Sequence, residues 1–571
     1  MQPFELPITY LKDKTKTDAH IIKDLSLIGR NSLYSKLGIA KNNADPFADR
    51  VVDQWSEYYT TDVTYLKETQ KMIKSKQLPP PPSKVDDMIE IWDDMESYDN
   101  LNDNGAAFVT QYQYMEWDKL YFLNKNNVFL LWMSIYNMSS PVISLFVPII
   151  LMFVPLLLLK MRGLDFTLEN YIELLKLTFS KHQLGALFTM DSGISIEKKG
   201  YVAISAGLYV LQIYQNIRAC ITFYNNISLI KHRINTTRTY ISDVTNTMKS
   251  YYLHVKPYKT YKAFSDNVQA HCKCLSELNS ELKQASVLKF NIKDIKSIGH
   301  LMKCYYLLYR EPKYKYSLDY SFDFAGYIHN LHGFKSALNS KLLGKASFSK
   351  SKTAFKNAFY PSVDDAIPNS YNLHKNKHIL ITGPNAAGKT TILKATIFNI
   401  MLSQQIGFGC YKKADITPFN YIHCYINIPD TSGRDSLFQA EARRCKLILD
   451  AVTTSNKTDR HFCIFDELYS GTNPYEAIGS AKAFLNYLAK NKNVYSMITT
   501  HFVGLCEKLD THDNIHNYHM ATNCLENNFN YTYKLKQGIS SIKGGVKVLH
   551  DLEYPTEIIE ETKKNINDIS L

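Results

Sequence analysis

The chain has 571 residues, 45% of them hydrophobic and 21% charged, and its 66 Lys and Arg outnumber 54 Asp and Glu for a net charge of +12. Those proportions exclude an intrinsically disordered chain and leave room for several domains around a large core. The ten cysteines show neither zinc-finger nor disulfide-scaffold spacing, which excludes a small cysteine-stapled domain.

The basic excess fits a nucleic acid or an anionic membrane, and equally an unspecialised surface. His271-Cys272-Lys273-Cys274 is the one tight cysteine cluster, and it lacks the second half that a zinc site needs. It reads as a helical face with two free thiols. Reduced cysteines imply a cytosolic setting for the bulk of the chain. The opening Met1-Gln2-Pro3-Phe4-Glu5 does not read as a signal peptide.

Residues 1–125 are expected to be mainly helical. Pro79-Pro80-Pro81-Pro82 reads as a stiff linker. Asp86, Asp87, Glu90, Asp93, Asp94 and Glu96, set among Met88, Ile89, Ile91 and Trp92, then predict an amphipathic helix. Residues 126–225 form a hydrophobic insertion. No charge occurs from Asn126 to Leu159, and 142–159 is long enough to cross a bilayer, closed by Lys160 and Arg162. A buried core helix is the alternative, although such helices usually keep a polar face. Pro148 and Pro155 kink a helix without forbidding a span. Tyr201–Gln215 is a shorter second candidate, and Asp165–Phe188 between them has the pattern of an amphipathic helix. Residues 226–350 read as long helices, with Leu275, Leu278, Leu282 and Leu288 on a core face. In 351–535 short apolar runs alternate with helices, the signal of an α/β domain with a mostly parallel sheet. Residues 536–571 form a C-terminal tail.

The chemistry-bearing motifs lie in 351–535. The apolar run His378–Thr382 leads into Gly383-Pro384-Asn385-Ala386-Ala387-Gly388-Lys389-Thr390-Thr391, and an apolar helix follows. This is G-x-x-x-x-G-K-[ST] in the strand–loop–helix setting that a phosphate-binding P-loop requires. The glycines let backbone N–H groups turn toward phosphate oxygens, and the helix N-terminus adds partial positive charge. Lys389 is then the ligand of the β- and γ-phosphates of ATP, and Thr390 a ligand of Mg²⁺. A second apolar run, Phe462–Phe465, ends in Asp466-Glu467. Adjacent carboxylates at the end of a buried strand are costly unless used. Asp466 is assigned to the Mg²⁺ shell and Glu467 to the attacking water. A third run, Val494–Thr499, leads to Thr500-His501, which places His501 as a γ-phosphate sensor.

These motifs resemble those of the MutS family of mismatch-repair ATPases. The Gly383-Pro384-Asn385 opening, Asp466-Glu467-Leu468-Tyr469-Ser470-Gly471-Thr472, Thr500-His501-Phe502 and the segment Ser432-Gly433-Arg434-Asp435-Ser436-Leu437-Phe438-Gln439-Ala440-Glu441 are similar to family signatures. The resemblance runs from about 355 to 562. It implies a C-terminal P-loop ATPase domain joined to an N-terminal, mainly α-helical lever. It also implies Pro368-Asn369 near the adenine and Ser436 reaching the nucleotide of the other subunit of a homodimer. Tyr554-Pro555 and Ile558-Ile559 match the family's helical dimerisation tail, and Phe47–Ile73 resembles the start of its lever. Departures are Ala387 for a usual glycine, Ser470 for a frequent Arg and one residue inserted between Gly433 and Ser436. No Phe-x-Glu wedge of a mismatch reader occurs before Phe465, and the stretch ahead of the lever is short for a reader plus connector.

Three functions compete. The first is a DNA-binding MutS-like ATPase in repair or DNA-structure recognition. The second is a membrane-anchored ATPase of the same type driving a change unrelated to mismatches, and the third is a transporter-like ABC ATPase. The Gly-Pro-Asn loop and the missing Leu-Ser-Gly-Gly signature argue against the third.

Overall fold

A computed structural model describes residues 2–29, 32–38, 46–83, 86–100, 106–161, 167–181, 196–286, 297–373, 378–426, 436–525, 528–540, 542, 546, 549–550 and 552–568. The chain divides into two compact units. The first comprises Met1–Pro82, Asn246–Cys272 and Asp319–Leu571, and the second Ser83–Thr245 with Lys273–Leu318.

The first unit is built on a six-stranded sheet of His378–Thr382 (β1), Tyr421–Tyr425 (β2), His461–Phe465 (β3), Val494–Thr499 (β4), Ile515–Leu525 (β5) and Asn528–Gln537 (β6). Its order is β6-β5-β1-β4-β3-β2. All neighbours are parallel except the closing hairpin β5–β6. Every residue of β1, β3 and β4 is buried, which is why these strands read as unbroken apolar runs. The intervening helices are Lys389–Ile406 (α1), Leu437–Thr454 (α2), Pro474–Ala489 (α3) and Val503–Leu509 (α4). Leu380, Phe465 and Ile498 of the sheet share one core with Ile448 of α2, Ala481 and Leu485 of α3 and Leu505 of α4. The expected α/β architecture with a mostly parallel sheet is present.

Helix α1 is buried along nearly its whole length, so its polar side chains must find partners inside the protein. Gln404 Nε2 donates to the carbonyls of Thr60 and Phe419, and Gln405 Nε2 to those of Trp55 and Tyr58. The Tyr34 hydroxyl donates to Gln405 Oε1 at 2.8 Å. The N-terminal segment thus packs against the helix that follows the phosphate-loop motif. Within that segment, Lys14–Lys16 pairs with Tyr58–Thr60 in a small antiparallel sheet. Phe4, Tyr251, Phe264, Tyr320 and Tyr327 form a cluster of mostly edge-to-face rings. His271 is fully buried and stacked on Tyr320 at 3.8 Å, with Cys272 also buried. The tight cysteine cluster is therefore core packing on the helix Lys262–Ser286.

A second, five-stranded sheet differs from the sequence expectation. Its strands, in spatial order, are Asn369–Asn372, Ala354–Ala358, Lys413–Ile416, Gly344–Phe348 and Phe408–Gly409. The helices expected through 350 therefore stop at Asn339, and strand begins at Gly344. These strands are short and partly exposed, so they lack the apolar runs that mark β1, β3 and β4.

The second unit is helical. Asn127–Met161 is one helix that contains the run 142–159, with Pro148 and Pro155 inside it. Among the described residues, its portion Asn127–Phe146 is the one helix long and apolar enough to cross a membrane, and only 11% of that window is buried. Val142, Leu145, Phe146, Phe153 and Leu157 are exposed. Tyr201–Gln215 lies inside the helix Ile196–Val255. The Tyr209 hydroxyl there donates to the Ser144 carbonyl at 2.6 Å. The expected Asp165–Phe188 helix runs over Leu168–Lys181, and its two ends fall outside the described residues. Leu275, Leu278 and Leu282 are buried as expected, and Leu288 falls outside the described residues. A buried Arg233 donates to the hydroxyls of Tyr112, Tyr305 and Tyr309 and pairs with Asp94.

Candidate functional site

The loop between β1 and α1 carries residues 383–388. Gly388 has φ +93°, a conformation that favours glycine, and a Cβ there would press on the Tyr533 ring at 3.3 Å. Ala386 sits in the left-handed region at φ +62°, whereas Ala387 does not. The alanine that replaces a usual glycine thus falls where a Cβ costs little. Lys389, 5% exposed, donates from Nζ to the carbonyls of Gly383 and Pro384 at 3.1 and 3.2 Å. Burial pushes its ammonium below the ordinary lysine value, against the pull of Glu467 and Asp466.

Strand β3 ends at Phe465 and delivers Asp466 and Glu467 beside the start of α1. The Thr390 hydroxyl donates to Asp466 Oδ2 at 2.8 Å. The Thr499 hydroxyl, at the end of β4, reaches Asp466 Oδ1 at 2.5 Å. Thr499 also holds the neighbouring acid, since Glu467 N–H donates to its carbonyl and its hydroxyl. Glu467 is itself strained at φ +53°, as residues fixed for a purpose often are. His501 Nε2 lies 2.6 Å from Glu467 Oε1. That hydrogen bond holds the Glu467 carboxyl below its ordinary value, against the opposing effect of burial. Thr390, Asp466, Glu467 and His501 are thus joined through Thr499 in one chain of contacts, with Lys389 at the start of α1 beside them. A hydroxyl and a carboxylate oxygen within hydrogen-bond distance are the hard oxygen donors that Mg²⁺ takes.

A cavity of about 690 Å³ opens beside this constellation. Asn385, Ala386, Gly388, Lys389, Thr390, Thr391 and Glu467 line it. Asn369, expected near the adenine, also lines it, together with Tyr360, Ile367, Met520 and Tyr533, apolar and aromatic side chains that the motifs do not include. Asn369 is also structural: its carboxamide donates to the Tyr533 carbonyl and accepts from the Leu535 N–H. The Pro368 carbonyl accepts from Lys534 Nζ at 2.7 Å.

Ser436 does not line this cavity. It caps α2 in a reciprocal capping box with Gln439 and is exposed. Ser432–Asp435 lie outside the described residues. At the end of the same signature, Glu441 is 2% exposed and accepts from the Ser470 hydroxyl and the Gly471 N–H, both at 3.1 Å. It fastens α2 to the loop that follows Asp466-Glu467. The tail helix spans Thr556–Asp568, with Ile559 buried. Gly544 and Gly545, before it, lie outside the described residues.

Residues 379–570 match the family model for MutS domain V. The DNA mismatch repair protein MutS of Staphylococcus haemolyticus (strain JCSC1435) is 27% identical over 229 residues, which is 38% of this chain and 25% of that protein. MutS of Persephonella marina is 28% identical over 199 residues, covering 34% of this chain and 22% of the relative. MutS of Aquifex pyrophilus is 28% identical over 205 residues, covering 36% and 23%. The matched stretch is thus about a quarter of the length of these relatives.

Proposed function

The C-terminal portion of this chain belongs to the MutS family, and from that premise we propose that the protein binds and hydrolyses Mg·ATP and couples the cycle to DNA. What supports the ATPase is one observation above the others. The Thr390 hydroxyl and the Asp466 carboxylate, from two separate motifs, meet at 2.8 Å beside the Lys389 loop. Thr390 and Asp466 are the residues that would hold Mg²⁺, which when bound neutralises charge on the phosphate oxygens. Loop N–H groups of residues 383–388 and the Lys389 ammonium would hold the phosphates. Glu467, kept ionised by His501, accepts the proton of the attacking water. Tyr360, Ile367, Met520 and Tyr533 form an apolar wall suited to a base.

DNA is the proposed partner because the relatives are DNA mismatch repair proteins and the chain carries +12. The protein would act as a homodimer in which Ser436, exposed at the N-terminus of α2, faces the other subunit's nucleotide. Two assays test the proposal. Lys389→Ala should abolish binding of a fluorescent ATP analogue. Gel shifts on matched, mismatched and branched duplexes should show salt-sensitive binding with little preference for a single mismatch, since no Phe-x-Glu wedge precedes Phe465. Binding that is absent at every salt concentration would refute the DNA arm.

A second reading, membrane anchoring of the same ATPase, is the weaker one and rests on a single feature: the apolar helix Asn127–Phe146 is left almost uncovered. Carbonate extraction decides it. Release of the full chain into the soluble fraction would leave the DNA reading alone.

A further inference from the structure

Away from the ATPase constellation, three unlike ligand types meet in the helical second unit. Glu281 stands on the helix Lys262–Ser286, and His300 and Cys304 lie one turn apart on the helix Ile298–Arg310. A carboxylate oxygen of Glu281, an imidazole nitrogen of His300 and the thiol sulfur of Cys304 all fall within 4.8 Å of one another. We propose that Glu281, His300 and Cys304 form a binding site for one divalent zinc-class cation, which ties these two helices together.

The distances favour this. His300 Nε2 and Cys304 Sγ are 3.5 Å apart. Zinc bonds to nitrogen and sulfur of about 2.1 and 2.3 Å at a tetrahedral angle put those two ligands about 3.6 Å apart. Histidine and cysteine at i and i+4 share one helix face, so the chelating pair needs no backbone change. Imidazole, thiolate and carboxylate together suit zinc rather than magnesium or calcium, which take oxygen ligands alone. Three protein ligands leave the fourth position to water. Cys304 is completely buried, and burial keeps its thiol protonated. Capture of the ion therefore breaks the S–H bond, forms the metal–sulfur bond and releases one proton to solvent.

The same atoms have a competing use. His300 Nε2 and Cys304 Sγ both approach the Glu281 backbone carbonyl, at 3.2 and 3.7 Å. Lys303 Nζ lies 3.6 Å from Glu281 Oε2. Donors that merely satisfy a carbonyl would tolerate any replacement that can donate, whereas a metal site requires the thiolate.

The test uses the full chain, treated with chelator and free of nucleotide, titrated with zinc alone and separately with cobalt(II). One equivalent of zinc per chain should bind. Cobalt should give the near-ultraviolet thiolate-to-metal absorption. Cys304→Ser, which keeps an O–H donor for the carbonyl, and His300→Gln, which keeps an N–H donor, should each weaken zinc binding by about 100-fold or more and lose or displace that absorption. Circular dichroism of both variants checks that they fold. Zinc affinity unchanged in folded Cys304→Ser, or no saturable binding by the unaltered chain, would overturn the site.

Discussion

Replacing Glu441 with alanine probes how the signature helix governs the acid pair. Its buried carboxylate receives the Ser470 hydroxyl and the Gly471 N–H, each at 3.1 Å. Hydrogen bonds to a charged group are each worth about 1.5–3 kcal/mol net. Ser470 is exposed and its hydroxyl can turn to water, so the loss should fall at about 2–4 kcal/mol rather than twice the upper figure. The loop that loses its anchor begins immediately after Glu467, and its Tyr469 is already held at φ +59°. A shift of about 1 Å in a catalytic group can cost about 100-fold in rate, so kcat should fall about 10- to 100-fold. ATP affinity should change little, because Glu441 lines neither the loop nor the cavity. Glu441→Gln keeps the shape but points N–H groups at one of two donors, and should lose about half as much. Urea denaturation and steady-state hydrolysis measure the two effects. Glu441→Ala with an unchanged midpoint and unchanged kcat would refute the reasoning.

Gly407 closes α1 at φ +79°, and a Cβ there would sit 2.5 Å from Gln70 Cγ and 2.9 Å from the Leu66 carbonyl. Gly407→Ala should therefore cost about 2–4 kcal/mol through backbone strain and overpacking, read by thermal denaturation; an unchanged melting point would contradict the packing of the N-terminal segment on α1. His423 and His461, 3.0 Å apart on β2 and β3, are both pushed below the ordinary histidine value, chiefly by burial. The unfolded chain takes up these protons near pH 6.5 and the folded one only at lower pH. Their contribution is thus complete above about pH 6.5 and is lost as pH falls from there, at up to about 1.4 kcal/mol per pH unit for each. Denaturation midpoints at pH 7, 6 and 5 should fall steeply, and His461→Gln should flatten the slope; an equal slope would remove the pair from the account.

The parts of the fold that were legible are those where burial leaves a clear mark. Strands β1, β3 and β4 are buried at every residue, so Ile379, Ile464 and Met497 sit in apolar runs. Each run ends where one of the motifs begins. The second sheet left no such mark. In Ala354–Ala358 the exposed Lys356 and Asn357 interrupt the alternation, and Asn357 takes φ +55°, so the segment reads as a loop. Contacts are legible where one motif contains both partners, as with Lys389 and its loop. Thr499 reads only as a strand residue, because its hold on Asp466 and Glu467 depends on β3 and β4 lying side by side. Glu441 reads as part of a signature, but its partners Ser470 and Gly471 lie 29 and 30 residues further on. Tyr360 and Tyr533 reach the cavity from distant segments, and nothing in their local sequence marks a wall. Likewise the i, i+4 pair His300 and Cys304 does not point to Glu281, because helix packing rather than sequence brings that residue to the other two.

The proposed hydrolysis depends on Glu467 accepting the proton of water, and Glu467→Ala separates that role from binding. Single-turnover hydrolysis of ATP with excess enzyme and Mg²⁺, alongside equilibrium ATP binding, measures both. The predicted result is binding close to that of the unaltered chain and hydrolysis slower by a factor of about 100 or more. Hydrolysis at the unaltered rate would contradict the assignment.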